Sequence, residues 1–193
     1  MKKENGILSE VGKIDMPLLK NQPEKFWEGV DTIGSGAFEN SGVVELVIPP
    51  TIKSLRPRAL GNCKHLTTVA IPESVTKITP YTFKWCWSLK KVLLPDTITD
   101  IEDYAFAGCE KLENIFIPDG VKSIGPYTFA HCHNLQKLVI PSSVEKVGFG
   151  AFYCDMKLKE VTALGNTKFH NETFVGTNGN VKLTTICTEV EMA

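Results

Sequence analysis

Residues 112–117 read L-E-N-I-F-I: one apolar residue, two polar ones, then Ile115 and Ile117 at alternate positions. A period of two marks a short strand with one buried face. Pro118 ends it, because proline has no N–H to donate to a ladder. Val121 and Ile124 turn inward again, and G-P-Y-T-F-A-H-C follows at 125–132. Pro126 suits the first turn of a helix of one or two turns, α or 3₁₀.

The same pattern recurs along the chain. Phe83, Phe106, Phe129 and Phe152 stand 23 residues apart, Leu60 continues the series backward, and Phe38 and Phe174 extend it at 22. Leu66, Leu89, Leu112, Leu135 and Leu158 keep the same step, as do Pro72, Pro95, Pro118 and Pro141. Cys63, Cys86, Cys109 and Cys132 do likewise, with Cys154 following after 22. A fixed internal period is the mark of stacked repeats. One such unit cannot offset the entropy of ordering its own chain, so the copies must share faces and continue one parallel sheet. The strands centre on Leu46, Val69, Val92, Ile115, Leu138 and Val161.

The ends are irregular, as caps should be. E-G-V-D-T-I (28–33) matches D-G-V-K-S-I (119–124), so residues 23–33 read as a half repeat. V-K-L-T-T-I (181–186) reads as a closing strand after the turn signal T-N-G-N. The expected organisation is an N-terminal cap with a partial repeat at 1–32, stacked 22–23-residue repeats at 33–162, and a degenerate last repeat with a C-terminal cap at 163–193.

L-E-N-I-F-I follows the L-x-x-L-x-L pattern of leucine-rich repeats. The longer stretch D-Y-A-F-A-G-C-E-K-L-E-N-I-F-I-P-D-G-V-K-S-I (103–124) resembles the BspA-like variant, I-P-x-x-V-x-x-I-G-x-x-A-F-x-x-C, and the resemblance runs over residues 23–187. Ser41 and Thr177 stand where the first and last full repeats would carry the cysteine. The resemblance implies an α/β repeat fold: a leucine-rich-repeat solenoid with a parallel concave β-sheet and short helical turns on the convex side. It also implies a non-enzymatic module that binds other molecules, often at microbial cell surfaces.

Hydrophobic residues make up 42% and charged residues 22% of the 193, an ordinary globular balance. A net charge of −1 without a basic stripe argues against nucleic acid. Lys53, Arg56, Arg58, Lys64 and His65 make only a loose cluster, read as solvated surface. No apolar run reaches the roughly 18–20 residues of a membrane span, so membrane insertion is not expected. M-K-K suits the start of a secretory signal, but E-N-G-I-L-S-E-V-G-K supplies no apolar stretch after it. As written the chain reads as cytoplasmic, whereas the resemblance implies a surface or secreted protein.

Catalytic signatures are missing from the sequence: it has no phosphate-binding glycine loop, nucleophile elbow or H-E-x-x-H. No enzyme activity and no cofactor are expected. Metal-ligand chemistry is concentrated in F-A-H-C-H-N-L (129–135). Cys132 is nevertheless a rung of the cysteine ladder, which should point inward, while His131 and His133 point elsewhere. The equivalent pairs, Asn62/Lys64, Trp85/Trp87 and Gly108/Glu110, are not ligand pairs, so no metal site is expected. A buried thiol acts as a small hydrophobe with a weak donor, here placed to satisfy loop carbonyls. Ladder side chains run parallel, so reduced thiols are expected, with Cys187 off the ladder in the closing strand.

Function should sit where side chains leave the core. One concave column is Glu45, Thr68, Lys91, Asn114, Lys137 and Glu160; the other is Val47, Ala70, Leu93, Phe116, Val139 and Thr162. Solvent-facing strand positions are normally polar. Leu93, Phe116 and Val139 break that rule in consecutive repeats; with Lys91 and Lys137 beside them they would form an apolar stripe edged by positive charge, and with Asn114 a candidate surface for a protein partner. A second candidate is the rim carrying Trp85 and Trp87, since tryptophan is enriched at binding hot spots. Tyr81, Tyr104 and Tyr127 read as a convex packing ladder. Two functions fit: a surface module recognising a host or surface protein, or an intracellular scaffold for a partner of its own cell.

Overall fold

The computed structural model describes residues 1–11 and 16–186. At the N-terminus, β1 (Lys2–Glu4) and β2 (Ile7–Glu10) form an antiparallel hairpin. Asn5 and Gly6 connect them, both with positive φ, as a two-residue turn of matching twist requires. Helices α1 (Met16–Asn21) and α2 (Pro23–Trp27) follow. Phe26 and Trp27 are buried against Phe38, so α2 closes the first coil of the core.

From Thr32 onward the coils carry short parallel strands of two kinds. The first kind has two residues: β3 (Thr32–Ile33), β5 (Ser54–Leu55), β7 (Lys77–Ile78), β9 (Asp100–Ile101), β10 (Ser123–Ile124), β12 (Lys146–Val147) and β14 (Lys168–Phe169). The hairpin strand β2 pairs in parallel with β3, which seals that end of the ladder. The second kind lines the concave face: β4 (Glu45–Val47), β6 (Thr68–Ala70), β8 (Lys91–Leu93), β11 (Lys137–Ile140), β13 (Glu160–Ala163) and β15 (Lys182–Thr185). Pairing joins residues 22 or 23 apart, such as Val69 with Val92 and Leu138 with Val161. The repeat period is therefore the circumference of one coil, and the chain is a solenoid of about seven turns.

The concave sheet is not continuous. It divides into β4-β6-β8 and β11-β13-β15, because residues 113–117 between them make no backbone hydrogen bond to either neighbour. Ile115 stays buried there and Phe116 stays exposed, so side-chain packing holds the register without the ladder. The expected strand at Ile115 is thus an extended segment.

The convex turns are also not helix. In the coil at 102–109, Ala105, Ala107 and Cys109 donate to the carbonyls three residues back, at 3.2, 3.2 and 3.1 Å. Tyr104, Phe106 and Gly108 donate instead to Pro126, Thr128 and Ala130 of the next coil, at 3.0, 2.9 and 2.8 Å. Positive φ at Tyr104 and Gly108 turns these amides outward and stops a helix from propagating. Left-handed geometry costs about 1–2 kcal/mol at a residue with a side chain. The inter-coil bonds offset that cost at Tyr81, Tyr104 and Tyr127, all left-handed and all donating to the next coil.

Inside, Phe83, Phe106, Phe129, Phe152 and Phe174 stack at 5.3–5.9 Å with nearly parallel rings. Beside them runs the thiol ladder. Cys63, Cys86, Cys109 and Cys132 are wholly buried and donate to the carbonyls of Phe38, Leu60, Phe83 and Phe106 at 3.1–3.3 Å. All are free thiols, as is Cys154.

Cys154 is not a rung, contrary to its reading as one. It has positive φ and takes the place of His131, Gly108 and Trp85 in the preceding coils. Asp155 occupies the thiol position, three residues after Phe152 and three before Leu158, and is fully buried. The Leu158 register decides the alignment, because the core leucine cannot shift by one. Cys187 lies outside the described residues.

Candidate binding surface

Alternation along the concave strands places the sequence-predicted columns on the open face. Val47, Leu93, Phe116 and Val139 are 80, 48, 66 and 54% exposed, and Ala70 is exposed between them. Their strand neighbours Leu46, Val92, Ile115 and Leu138 are buried, so the inward and outward sets do not mix. Near α2, Val47 borders a cleft of about 960 Å³ with Trp27, Val30 and Pro49.

The charged column beside this stripe differs from its reading. Lys137 pairs with Glu160 on the adjacent strand at 2.9 Å, and that bond holds the Glu160 carboxyl below its usual pKa. The edge of the stripe is therefore one ion pair at Lys137, the amide of Asn114, and the cation of Lys91, not a run of positive charge. Pairing of residues 23 apart becomes visible only when the coils stack.

Trp85 and Trp87 sit on the rim, 38 and 42% exposed. They behave differently from a free aromatic pair. The indole of Trp85 lies across Gly108 of the next coil, where an added Cβ would come within 2.1 Å of Cε3. It then stacks on His131 one coil further, at 6.1 Å between ring centroids. Trp87 carries the Lys64 ammonium 4.8 Å from its ring centre. Gly108, one coil after Trp85, was the signal for this arrangement.

At H-C-H, Cys132 points inward to the Phe106 carbonyl and burial pushes its thiol pKa well up. His131 and His133 lie outside, edge to face at 5.7 Å. Burial and the neighbouring His133 lower the pKa of His131. Among the described residues, no three His, Cys, Asp or Glu side chains converge as metal ligands would. Among those residues also, no helix is long and apolar enough to cross a membrane.

The tyrosine column is a stacked ladder. Tyr81, Tyr104 and Tyr127 stand 5.1 and 4.8 Å apart with rings 15° from parallel. Arg58 extends this column backward by one coil, 5.5 Å from the Tyr81 ring centre. The Lys84 ammonium lies 5.0 Å from Tyr81 and 4.9 Å from Tyr104. Lys84 escaped sequence reasoning because no other coil carries a cation at its position.

The family description BspA type Leucine rich repeat region (6 copies) matches residues 22–94 and 76–191. The chain belongs to the BspA-type leucine-rich-repeat family. Solved structures agree with the membership. A leucine-rich repeat protein from Bacteroides ovatus superposes on this BspA-type solenoid with a TM-score of 0.76, over 82% of the chain at 25% identity. The T. pallidum leucine rich repeat protein gives 0.60 over 65% at 28% identity, and one from Eubacterium ventriosum 0.62 over 68% at 29%. The BspA-type chain here spans 72% of the T. pallidum protein but 42% and 36% of the other two. No curated protein sequence matches it.

Proposed function

We propose that this BspA-type solenoid is a non-enzymatic protein-binding module that grips its partner along the concave column of Leu93, Phe116 and Val139. One observation carries the reading: three consecutive solvent-facing strand positions hold large apolar side chains, each about half exposed or more. A solvated sheet face is normally polar, and contiguous apolar surface marks an interaction site. Phe116 is the middle member of the stripe by its place in the repeat, on the extended segment that separates the two concave sheets. Lys91, Asn114 and the Lys137–Glu160 pair would form a polar rim around an apolar centre. Trp85 and Trp87 would supply a second, lateral contact.

Family membership favours work at a microbial cell surface on a host or surface protein. The second reading is an intracellular scaffold, favoured by five free thiols. The test is affinity capture from the cell's own lysate and from a panel of extracellular-matrix proteins. Wild type is compared with the Leu93→Glu, Phe116→Glu double variant, both shown folded by circular dichroism. A partner lost with the double variant supports the concave site, and its compartment separates the two readings. Equal capture by both proteins would move the site to the tryptophan rim.

A further inference from the structure

We infer that the convex ridge formed by Arg58, Tyr81, Lys84, Tyr104 and Tyr127 is a binding site for an acidic polysaccharide, separate from the concave face. Arg58 and Lys84 converge on Tyr81, and among the described residues neither forms an ion pair. Both line a cleft of about 100 Å³, with Asn62 and Trp85 also in its wall, a size suited to one oxyanion group. Two cations lie together here, and among the described residues no carboxylate, Glu39 in the cleft wall included, forms an ion pair with either. Burial and the Arg58 charge together lower the pKa of Lys84, and a bound sulfate or carboxylate would relieve that repulsion. Glu39 borders the same cleft and opposes the site.

The tyrosines indicate what kind of chain carries the anion. Their rings cover one another, at 5.1 and 4.8 Å, so their faces are not free to stack nucleobases. Their edges point away from the stack, and among the described residues the three hydroxyls have no hydrogen-bond partner. The ridge therefore offers a row of hydroxyls at the coil spacing, close to the length of one pyranose residue in an extended glycan. A regular row suits a repeating, hydroxyl-rich chain better than an irregular acidic peptide. The cation pair at one end supplies affinity for its acidic groups, as charge-assisted bonds do.

The experiment titrates the full chain with dextran sulfate, neutral dextran, polyglutamate and inorganic sulfate. The variants are Arg58→Gln/Lys84→Gln, Tyr104→Phe, Glu39→Gln and, as a control of equal charge, the exposed pair Lys90→Gln/Lys159→Gln. Thermal melts confirm that each is folded, and Lys84→Arg keeps the cation should Lys84→Gln loosen the tyrosine stack. Dextran sulfate should bind, neutral dextran should not, and the ridge double variant should bind at least about tenfold more weakly, the effect of losing one charge-assisted contact. Tyr104→Phe should weaken binding severalfold, Glu39→Gln should strengthen it, and the control should be unchanged. Equal loss in the control would show undirected charge attraction and overturn the inference. So would sulfate competing as well as the polymer, polyglutamate binding as tightly, or no binding at all.

Discussion

Replacing Asp155 with cysteine should stabilise the protein at neutral pH and remove a pH dependence that the wild type carries. Asp155 is fully buried in the position where four earlier coils place a thiol. One carboxyl oxygen accepts from the Cys132 amide at 2.7 Å, and the other has no partner. Each thiol on the ladder donates to a carbonyl of the coil before it, and the equivalent acceptor for Asp155 is the Phe129 carbonyl. A carboxylate has no proton to give there, whereas a carboxylic acid does. Burial accordingly pushes the Asp155 pKa well above the ordinary carboxylate value. The titratable group facing it from the preceding coil is the Cys132 thiol, itself raised by burial and by the Asp155 charge.

The sign follows from linkage. The native state holds its proton above the unfolded pKa of about 3.9, so its stability falls as pH rises from there through the folded pKa. An unpartnered buried polar group costs roughly 1–3 kcal/mol. For a chain of this length, Asp155→Cys should then raise Tm at pH 8 by roughly 2–12 °C. Thermal melts of both proteins from pH 4 to pH 8 measure the difference directly, and titrations common to both cancel. The gap should widen with pH. A gap that stays constant, or a variant less stable at pH 8, would refute the reasoning.

Three further outcomes are expected. Phe116→Glu should leave the unfolding free energy within about 0.5 kcal/mol of wild type, as an exposed position should, while abolishing capture of the concave-face partner; a large loss of stability would show that Phe116 packs. Gly108→Ala should destabilise by about 1–2 kcal/mol through its left-handed φ of 76°. It should also lift Trp85 off the ridge, read as a red shift in tryptophan emission. Phe106→Ala removes a fully buried ring from the middle of the phenylalanine stack and should cost about 3–5 kcal/mol. Amide exchange should accelerate first in the coils on either side, because repeat proteins couple mainly through neighbours.

The sequence by itself determined the coil. A 23-residue step in Phe, Leu, Cys and Pro means that the same side chain meets the same surroundings in every turn, and that is enough to specify stacking, where the chain runs extended and which residues face the concave side. Even the misplaced rung was legible: Leu158 stands three residues after Asp155, as Leu135 does after Cys132. The tertiary structure decided everything that depends on one coil meeting another. Lys137 found Glu160, and Trp85 crossed Gly108 to reach His131. Arg58 and Lys84 closed on the tyrosine stack, and residues 113–117 dropped out of the ladder. The turns avoided helix for the same reason. Every second amide has a carbonyl to bond in the next coil, and that acceptor exists only after the solenoid has wound.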